Sequence, residues 1–558
     1  MKPDPVLART RAQEMHRKGW WRNQTLSGYL DAAVAAGAQR TAVVDYGAGM
    51  ADPRRMTFGE LAAAASRIAG SLRALGVGDG DVVSIQLPNC WESLATVIAC
   101  SRIGAIANPL MPIFRERELG FMLRHAETRV LVVPFTHRGR DHAGMVRSLL
   151  PQLPDLRKVV VLGEPGRDGF EAALLGVGQG MPTNPGVAYE QDPDEVAVLM
   201  FTSGTTGEPK GVMHTSNTLM ATLATTISEL KITRDDVALC AAPMGHMVGL
   251  ALLAIMPLMA QARTVIMDAW DAERAMALAA REAVTFTAGA TPYLTDILAA
   301  CARLSSPPAS LRLLCCAGSP IPPVAIERAQ AELGLTVCSL WGMTEVQAGT
   351  ITGLEAGSRL SAVADGRPPD GMEARIVDES GRTVGLNVTG RLLVRGSGVF
   401  AGYLKRPEWN PVNAEGWFDT GDLAYRVNDE GYIRIDGRAK DIIKRGGESI
   451  PVFEVEALLA RHPAVAAVAI VGYPDERLGE RACAFVTLQP GRSLDLDGVR
   501  AHLQSCRLTP QYWPERFEVL DELPRTASGK VQKFKLRELA SELKSGLARS
   551  ERNREVAS

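Results

Sequence analysis

The chain has 558 residues, with 61 Lys and Arg against 63 Asp and Glu and a formal net charge of −2 at pH 7. That balance gives no electrostatic footprint for nucleic acid or an anionic membrane surface, and the length exceeds one hydrophobic core, pointing to about three or four compact units. Nine cysteines without a Cys-x-x-Cys pair argue against zinc ligation and a disulfide framework, and they read as small core hydrophobes.

Met1 to Lys18 mixes charges around no apolar centre and does not read as a secretory leader. Leu61 to Leu75 places Ala and Leu at helical spacing, whereas Asp81 to Leu87 and Arg129 to Pro134 are β-branched runs bounded by turn formers. Such alternation predicts α/β layers with parallel strands. The apolar run Val196 to Phe201 leads into Thr202-Ser203-Gly204-Thr205-Thr206-Gly207-Glu208-Pro209-Lys210-Gly211. Glycines let backbone amides wrap an anion, and the hydroxyls of Thr202, Ser203, Thr205 and Thr206 add donors. A nucleotide-phosphate loop is the reading, against a plain Ser/Gly/Thr surface turn. It is not of the Walker type, because Lys210 follows Pro209 and precedes Gly211 instead of closing a Gly-Lys-Ser/Thr end. Thr215 or Ser216 can cap a helix to about Leu230, so the loop is expected to join a strand to a helix, where open α/β sheets bind ligands.

Met247 to Ala260 is the longest apolar stretch, but Gly249 and Pro257 interrupt it and it falls short of the ~20 residues that span a bilayer. No stable membrane insertion is expected, and the protein is expected in the cytoplasm. Leu311 to Ala317, with Cys315 and Cys316, reads as a buried strand. Met372 to Val377, Arg391 to Val394 and Tyr432 to Ile435 are short alternating strands between glycine turns, an antiparallel β subdomain. Beyond a glycine-rich charged segment, Gly437 to Gly447, come a helix (Phe453 to Arg461), strands Val465 to Val471 and Ala482 to Leu488, and a helix near Leu496 to Ser505. The expected fold is therefore α/β. A large N-terminal domain, 1–437, holds the α/β layers and the antiparallel β subdomain, a hinge occupies 438–441, and a small mobile α+β C-terminal domain fills 442–558.

Four further segments accompany the loop: Trp341-Gly342-Met343-Thr344-Glu345, Trp417 to Asp422, Gly437 to Asp441 with Gly446-Gly447, and Pro524 to Lys530. With them the chain resembles the adenylate-forming superfamily of acyl-CoA synthetases, luciferases and peptide-synthetase adenylation domains, from about Leu26 to Arg537. The resemblance implies an enzyme in which a carboxylate attacks the α-phosphorus of ATP, pyrophosphate leaves, and the acyl-adenylate passes to a thiol. Two anions must be brought together, so a metal and cations are needed where charge builds. By resemblance, Glu345 coordinates Mg²⁺ and Thr344 contacts the α-phosphate. Trp341 faces the adenine, with a buried core tryptophan as the competing reading, and Gly318 and Ser319 line the other adenine wall. Asp422 holds the ribose hydroxyls, Arg438 contacts ribose and phosphate, and Lys440 occupies the hinge. Lys530 bridges the substrate carboxylate to the α-phosphate. Gly446 and Gly447 admit the pantetheine of CoA, although Ser449-Ile450-Pro451-Val452 departs from the family's usual Asn-Ile-aromatic-Pro.

The carboxylic acid itself is expected against His246, Met247, Val248, Gly342 and Met343, with Ala288 to Pro292 as a further wall. His246 reads equally as a gate beside the carboxylate or as a satisfied core histidine. The wall is apolar and lacks a group to pair a buried ammonium, which disfavours amino acids. Gly19-Trp20-Trp21 and Asn108 to Pro112 resemble bacterial aryl and alicyclic acid-CoA ligases, cyclohexanecarboxylate-CoA ligase among them. The expected function is ATP-dependent activation of an apolar alicyclic, aromatic or medium-chain monocarboxylic acid and its transfer to CoA. An aryl-acid AMP ligase loading a carrier-protein thiol and a non-catalytic nucleotide-binding relative are the rival readings, and a homodimer stays open.

Overall fold

Short runs of Val, Ile, Leu and Cys bounded by turn residues build two mostly parallel sheets in the computed structural model, which describes residues 9–47, 52–176, 191–202, 209–304, 307–318, 321–409, 412–438, 443–445, 448–475, 478–506, 508–525 and 531–544. The first sheet has eight strands in the order Thr350–Ile351, Thr336–Trp341, Leu313–Ala317, Phe286–Gly289, Val237–Cys240, Arg263–Ile266, Thr41–Asp45 and Arg54–Thr57. The second has seven, in the order Gly402–Tyr403, Lys210–Thr215, Val196–Thr202, Ile106–Pro109, Val82–Ile85, Val130–Pro134 and Lys158–Leu162.

Both faces of the central strands are buried, as parallel sheets require, whereas the edge strand Arg54–Thr57 is partly exposed. Successive side chains alternate between cores, so Val43 and Cys315 join the central core while Val44 and Cys316 point into the outer one. The central core packs helices Leu26–Gly37, Phe58–Ala74, Trp91–Ile103 and Ser216–Leu230 against strands of both sheets. Helices Ala272–Glu282, Thr291–Cys301 and Pro323–Leu333 cover the outer face of the first sheet, and Glu116–His125 with His142–Leu149 cover that of the second. The result is five layers, helix–sheet–helix–sheet–helix. Each Leu- or Ile-sized side chain buried there stabilises by about 1.5–3 kcal/mol.

The chain divides into two compact units, Met1–Ala374 with Val394–Phe418, and Arg375–Leu393 with Asp419–Ser558. That is fewer than length alone suggests, because the helices shared between the two large sheets fuse them into one unit. The second unit mainly carries a four-stranded sheet, ordered Met372–Val377, Gly390–Gly396, Phe418–Arg426 and Ile433–Arg438. It also holds a five-stranded sheet built on the long pair Val465–Asp475 and Gly479–Leu488, with helices Val452–Leu459 and Leu496–Ser505 on one core and Lys533–Lys544 on another.

One local expectation is corrected. The strand Lys210–Thr215 intervenes between the glycine loop and the helix, pairing antiparallel with Val196–Thr202, so the loop joins strand to strand. Val212 and Met213 are buried opposite Met200 and Leu199, which makes this segment sheet and not a helix approach. The helix then starts where Thr215 caps it, its hydroxyl accepting from Thr218 N at 3.0 Å. The apolar run after Met247 forms a π-helix, Val248–Ile255, followed by Met256–Met259, all inside the protein. Among the described residues no helix is long and apolar enough to cross a membrane. All nine cysteines are free of disulfides; eight are buried and Cys506 is half-buried.

Candidate functional site

In the first unit the glycine loop is held by its two ends. Thr202 closes one strand and Lys210 opens the next, and the two face each other in register. Ser203, Gly204, Thr205, Thr206 and Gly207 lie between them, outside the described residues. The Lys210 ammonium lies 4.9 Å over the Tyr403 ring and 5.3 Å over the Trp409 ring. Tyr403 is placed there by the edge strand Gly402–Tyr403, which pairs Tyr403 with Val212 two residues beyond Lys210.

Tyr403 is also the link to Glu345. Its hydroxyl donates to Glu345 Oε1 at 2.8 Å, and the carboxylate is buried at 6 % exposure. Burial first, and then the neighbouring carboxylate, push the phenol well above its usual range, so it stays protonated. The turn carrying Glu345 is fixed from three sides. Phe400 N donates to the Glu345 carbonyl at 2.8 Å, Gln347 N to the Met343 carbonyl at 2.7 Å, and His214 Nε2 to the Thr344 carbonyl at 2.7 Å. His214 is fully buried, and desolvation lowers its pKa to about 4. The neutral ring therefore donates from Nε2 and leaves Nδ1, 3.1 Å from the Thr218 hydroxyl, to accept. Gly342 is obligatory in this turn, since a Cβ there would stand 1.6 Å from the Gln347 carbonyl oxygen.

Trp341, the last residue of its strand, is 8 % exposed, with its six-membered ring packed on Gly349. Gly318 follows the strand Leu313–Ala317 with φ of 87°, a left-handed position that favours glycine. Ser319 lies outside the described residues.

The segment expected to hold the acid is a tight backbone crossing. A Cβ on Gly245 would meet Met111 N at 2.6 Å, and one on Gly249 the Pro243 carbonyl oxygen at 2.2 Å. Buried Asn89 secures it, donating to the Ala242 carbonyl at 2.9 Å and accepting from Met244 N at 2.8 Å. His246 is half-buried, and its Nδ1 accepts from Val248 N at 3.3 Å. Met247 is buried and Val248 opens the π-helix, an irregularity frequent at functional sites. Gly342, Met343 and Thr344 are half-buried. At the Ala288 wall, the Tyr293 ring covers Gly289 and stacks on Trp270 with centroids 4.1 Å apart.

In the second unit, Asp422 and Arg438 face each other on neighbouring strands, Arg438 Nε lying 3.0 Å from Asp422 Oδ1. Asp422 is buried at 4 % exposure, and its N–H donates to the Thr420 hydroxyl, which in turn donates to the Leu392 carbonyl at 2.8 Å. Arg438 ends its strand, and Lys440 with the rest of 439–442 lies outside the described residues. Arg445 and Glu448 stand opposite each other in backbone register on the strands that flank Gly446 and Gly447, which are also outside them. So is Lys530, whose segment is closed by an Arg525–Val531 bridge and by Gln532 N donating to the Pro524 carbonyl at 2.7 Å.

Sequence reasoning passed over His214, Asn89, Tyr293, Tyr403 and Trp409. The last two had a signal, aromatic residues spaced through the turn-rich Gly402-Tyr-Leu-Lys-Arg-Pro-Glu-Trp409.

Two family descriptions match the chain: AMP-binding enzyme over residues 30–404 and AMP-binding enzyme C-terminal domain over 454–530. The medium-chain fatty-acid–CoA ligase of Escherichia coli K12 is 34% identical over 545 residues, 96% of this chain and 94% of that protein. The 2,3-dihydroxybenzoate-AMP ligase of Bacillus subtilis is 30% identical over 535 residues, 95% of this chain and 96% of that one. Among solved structures, the anthranilate CoA ligase AuaEII in complex with anthranoyl-AMP superimposes with a TM-score of 0.83 at 25% identity, covering 94% of this chain and 98% of that one.

Proposed function

Because the chain belongs to the AMP-binding enzyme family, we propose that it is an AMP-forming acid-CoA ligase that activates an apolar monocarboxylic acid with ATP and passes the acyl group to CoA. The observation that carries this reading is the array in which the loop-closing Lys210 and the buried Glu345 meet on one tyrosine, Tyr403. It puts a cation at the loop and a hard anionic oxygen beside it, the two charges a metal-bound polyphosphate demands.

Glu345 fits Mg²⁺, which takes one or two carboxylates and completes its shell with water and phosphate oxygens. A buried carboxylate held by a neutral phenol is such a donor. When bound, the metal supplies positive charge against the phosphates. The remaining work falls to the chain. The loop amides with Lys210 hold the pyrophosphate portion, Thr344 donates to the α-phosphate, and Asp422 accepts from the ribose hydroxyls beside Arg438. The acid lies against Met247, Val248 and Met343, with His246 near its carboxylate. Its oxygen attacks the α-phosphorus, the bond to the bridging oxygen breaks, and pyrophosphate leaves with that electron pair. Lys530 neutralises the charge between the two anions. The CoA thiol, entering past Gly446 and Gly447, then gives up its proton, attacks the acyl carbonyl and releases AMP. Rotation of the 442–558 domain about 438–441 exchanges the two half-reactions.

The two relatives described above act on different acids, a medium-chain fatty acid and a dihydroxybenzoate. The Met, Val, Ala and Gly wall favours an uncharged tail, alicyclic, aromatic or medium-chain. Pyrophosphate release is to be measured over a panel of cyclic, aromatic and straight-chain acids, each with and without CoA. Apolar acids that turn over to AMP and thioester with free CoA are expected. Turnover of hydroxybenzoates alone, indifferent to CoA, points instead to loading of a carrier-protein thiol, and nucleotide binding without pyrophosphate release points to a non-catalytic relative.

A further inference from the structure

The Lys210 side chain is already engaged. Its ammonium lies over two rings at once, 4.9 Å from that of Tyr403 and 5.3 Å from that of Trp409, distances at which a cation is drawn to the negative face of an aromatic. Trp409 shares its ring with a second cation, the Arg406 guanidinium at 4.7 Å. Two cations on one indole repel each other, so the Lys210 seat is shallow and a polyphosphate readily outcompetes it. Tyr403 has a second attachment that Trp409 lacks, the 2.8 Å hydrogen bond from its hydroxyl to Glu345. The ring that receives the lysine is thus the ring that sets the carboxylate.

We propose that Tyr403 and Trp409 form an aromatic seat that competes with nucleotide phosphate for Lys210, and that Tyr403 is a positioning residue that orients Glu345 for its metal through the phenolic hydroxyl. The proposal rests on the reading of Lys210 and Glu345 as nucleotide-site groups. It makes the two aromatics separable. Trp409 acts on Lys210 and Arg406 but has no link to the carboxylate, whereas the Tyr403 hydroxyl acts on the carboxylate and the Tyr403 ring on the lysine.

The test measures ATP binding to the full chain by calorimetry, in EDTA and across a Mg²⁺ titration, with no acid or CoA present. Trp409 is half-exposed, so Trp409→Leu is expected to preserve the fold, which an unchanged circular dichroism spectrum checks. Removing one ring releases Lys210, and the ATP Kd in EDTA falls about two- to five-fold, the size of an exposed cation–π contact. In a Lys210→Met background the same substitution leaves Kd unchanged. Tyr403→Phe keeps the ring and loses the hydroxyl, so Kd in EDTA is unchanged while the Mg²⁺ concentration for half-maximal enhancement of ATP binding rises several-fold. Trp409→Leu weakening or not altering ATP binding overturns the seat, and an unmoved Mg²⁺ midpoint in Tyr403→Phe overturns the positioning role. A wild-type chain that binds no ATP under any condition overturns both, together with the nucleotide-site reading beneath them.

Discussion

His214 shows how one buried side chain fixes the geometry of another segment. Its imidazole holds the Thr344 carbonyl, and burial lowers its pKa to about 4 against an ordinary 6.5. A histidine kept neutral in the folded state favours unfolding in acid, because the unfolded chain takes up the proton first. Stability is therefore full above about pH 6.5, declines as pH falls, and levels off below about 4. At pH 5 the loss from this one residue is about 2 kcal/mol relative to pH 7. Urea unfolding of the wild type and His214→Gln at pH 7 and pH 5 checks this, with the variant expected to lack that portion of the acid sensitivity. No pattern in the sequence marks His214, since its role depends on a carbonyl 130 residues away. The motif Trp341 to Glu345, in contrast, stood out in the sequence, whereas the tight turn that makes Gly342 obligatory came only with the structure.

Elements were legible where a local signal marked their ends. The helix start after the loop is the plainest case, with Thr215 or Ser216 predicted as its cap and Thr215 found in a capping box with Thr218. Thr215→Ala is expected to cost about 1 kcal/mol in urea unfolding, and Thr215→Ser to recover most of it. The strand just before that cap escaped prediction. Its six residues, Lys210–Thr215, include a lysine, a glycine and a histidine, and only pairing to the all-apolar Val196–Phe201 reveals it as sheet. The π-helix Val248–Ile255 was illegible for the opposite reason, being apolar all round and so without periodicity. Trp417 to Asp422 was read as a motif and not as part of a strand, yet the register of Phe418–Arg426 is what sets Asp422 opposite Arg438.

For the molecule as a whole, α/β layering could be read from alternating helical and strand patterns, whereas the sharing of one core by two sheets could not, since it is a property of which faces meet. The second unit is discontinuous, drawing on residues 375–393 as well as 419–558. A fragment ending at Phe418 therefore strands Gly390–Gly396 without its neighbour Phe418–Arg426 and exposes a sheet edge. It is expected to aggregate on size-exclusion chromatography, whereas a fragment ending at Arg438 retains all four strands and is expected to elute as a monodisperse species. The first unit is discontinuous in the same way, and that imposes a timetable on synthesis. Glu345 leaves the ribosome 58 residues ahead of Tyr403, the phenol that holds it. At about 5–20 residues per second the carboxylate waits roughly three to twelve seconds for its partner. Whatever the order in which the helices and sheets of that unit condense, the Glu345 carboxylate and the Lys210 ammonium are among the last features to be set, once the edge strand Gly402–Tyr403 has arrived.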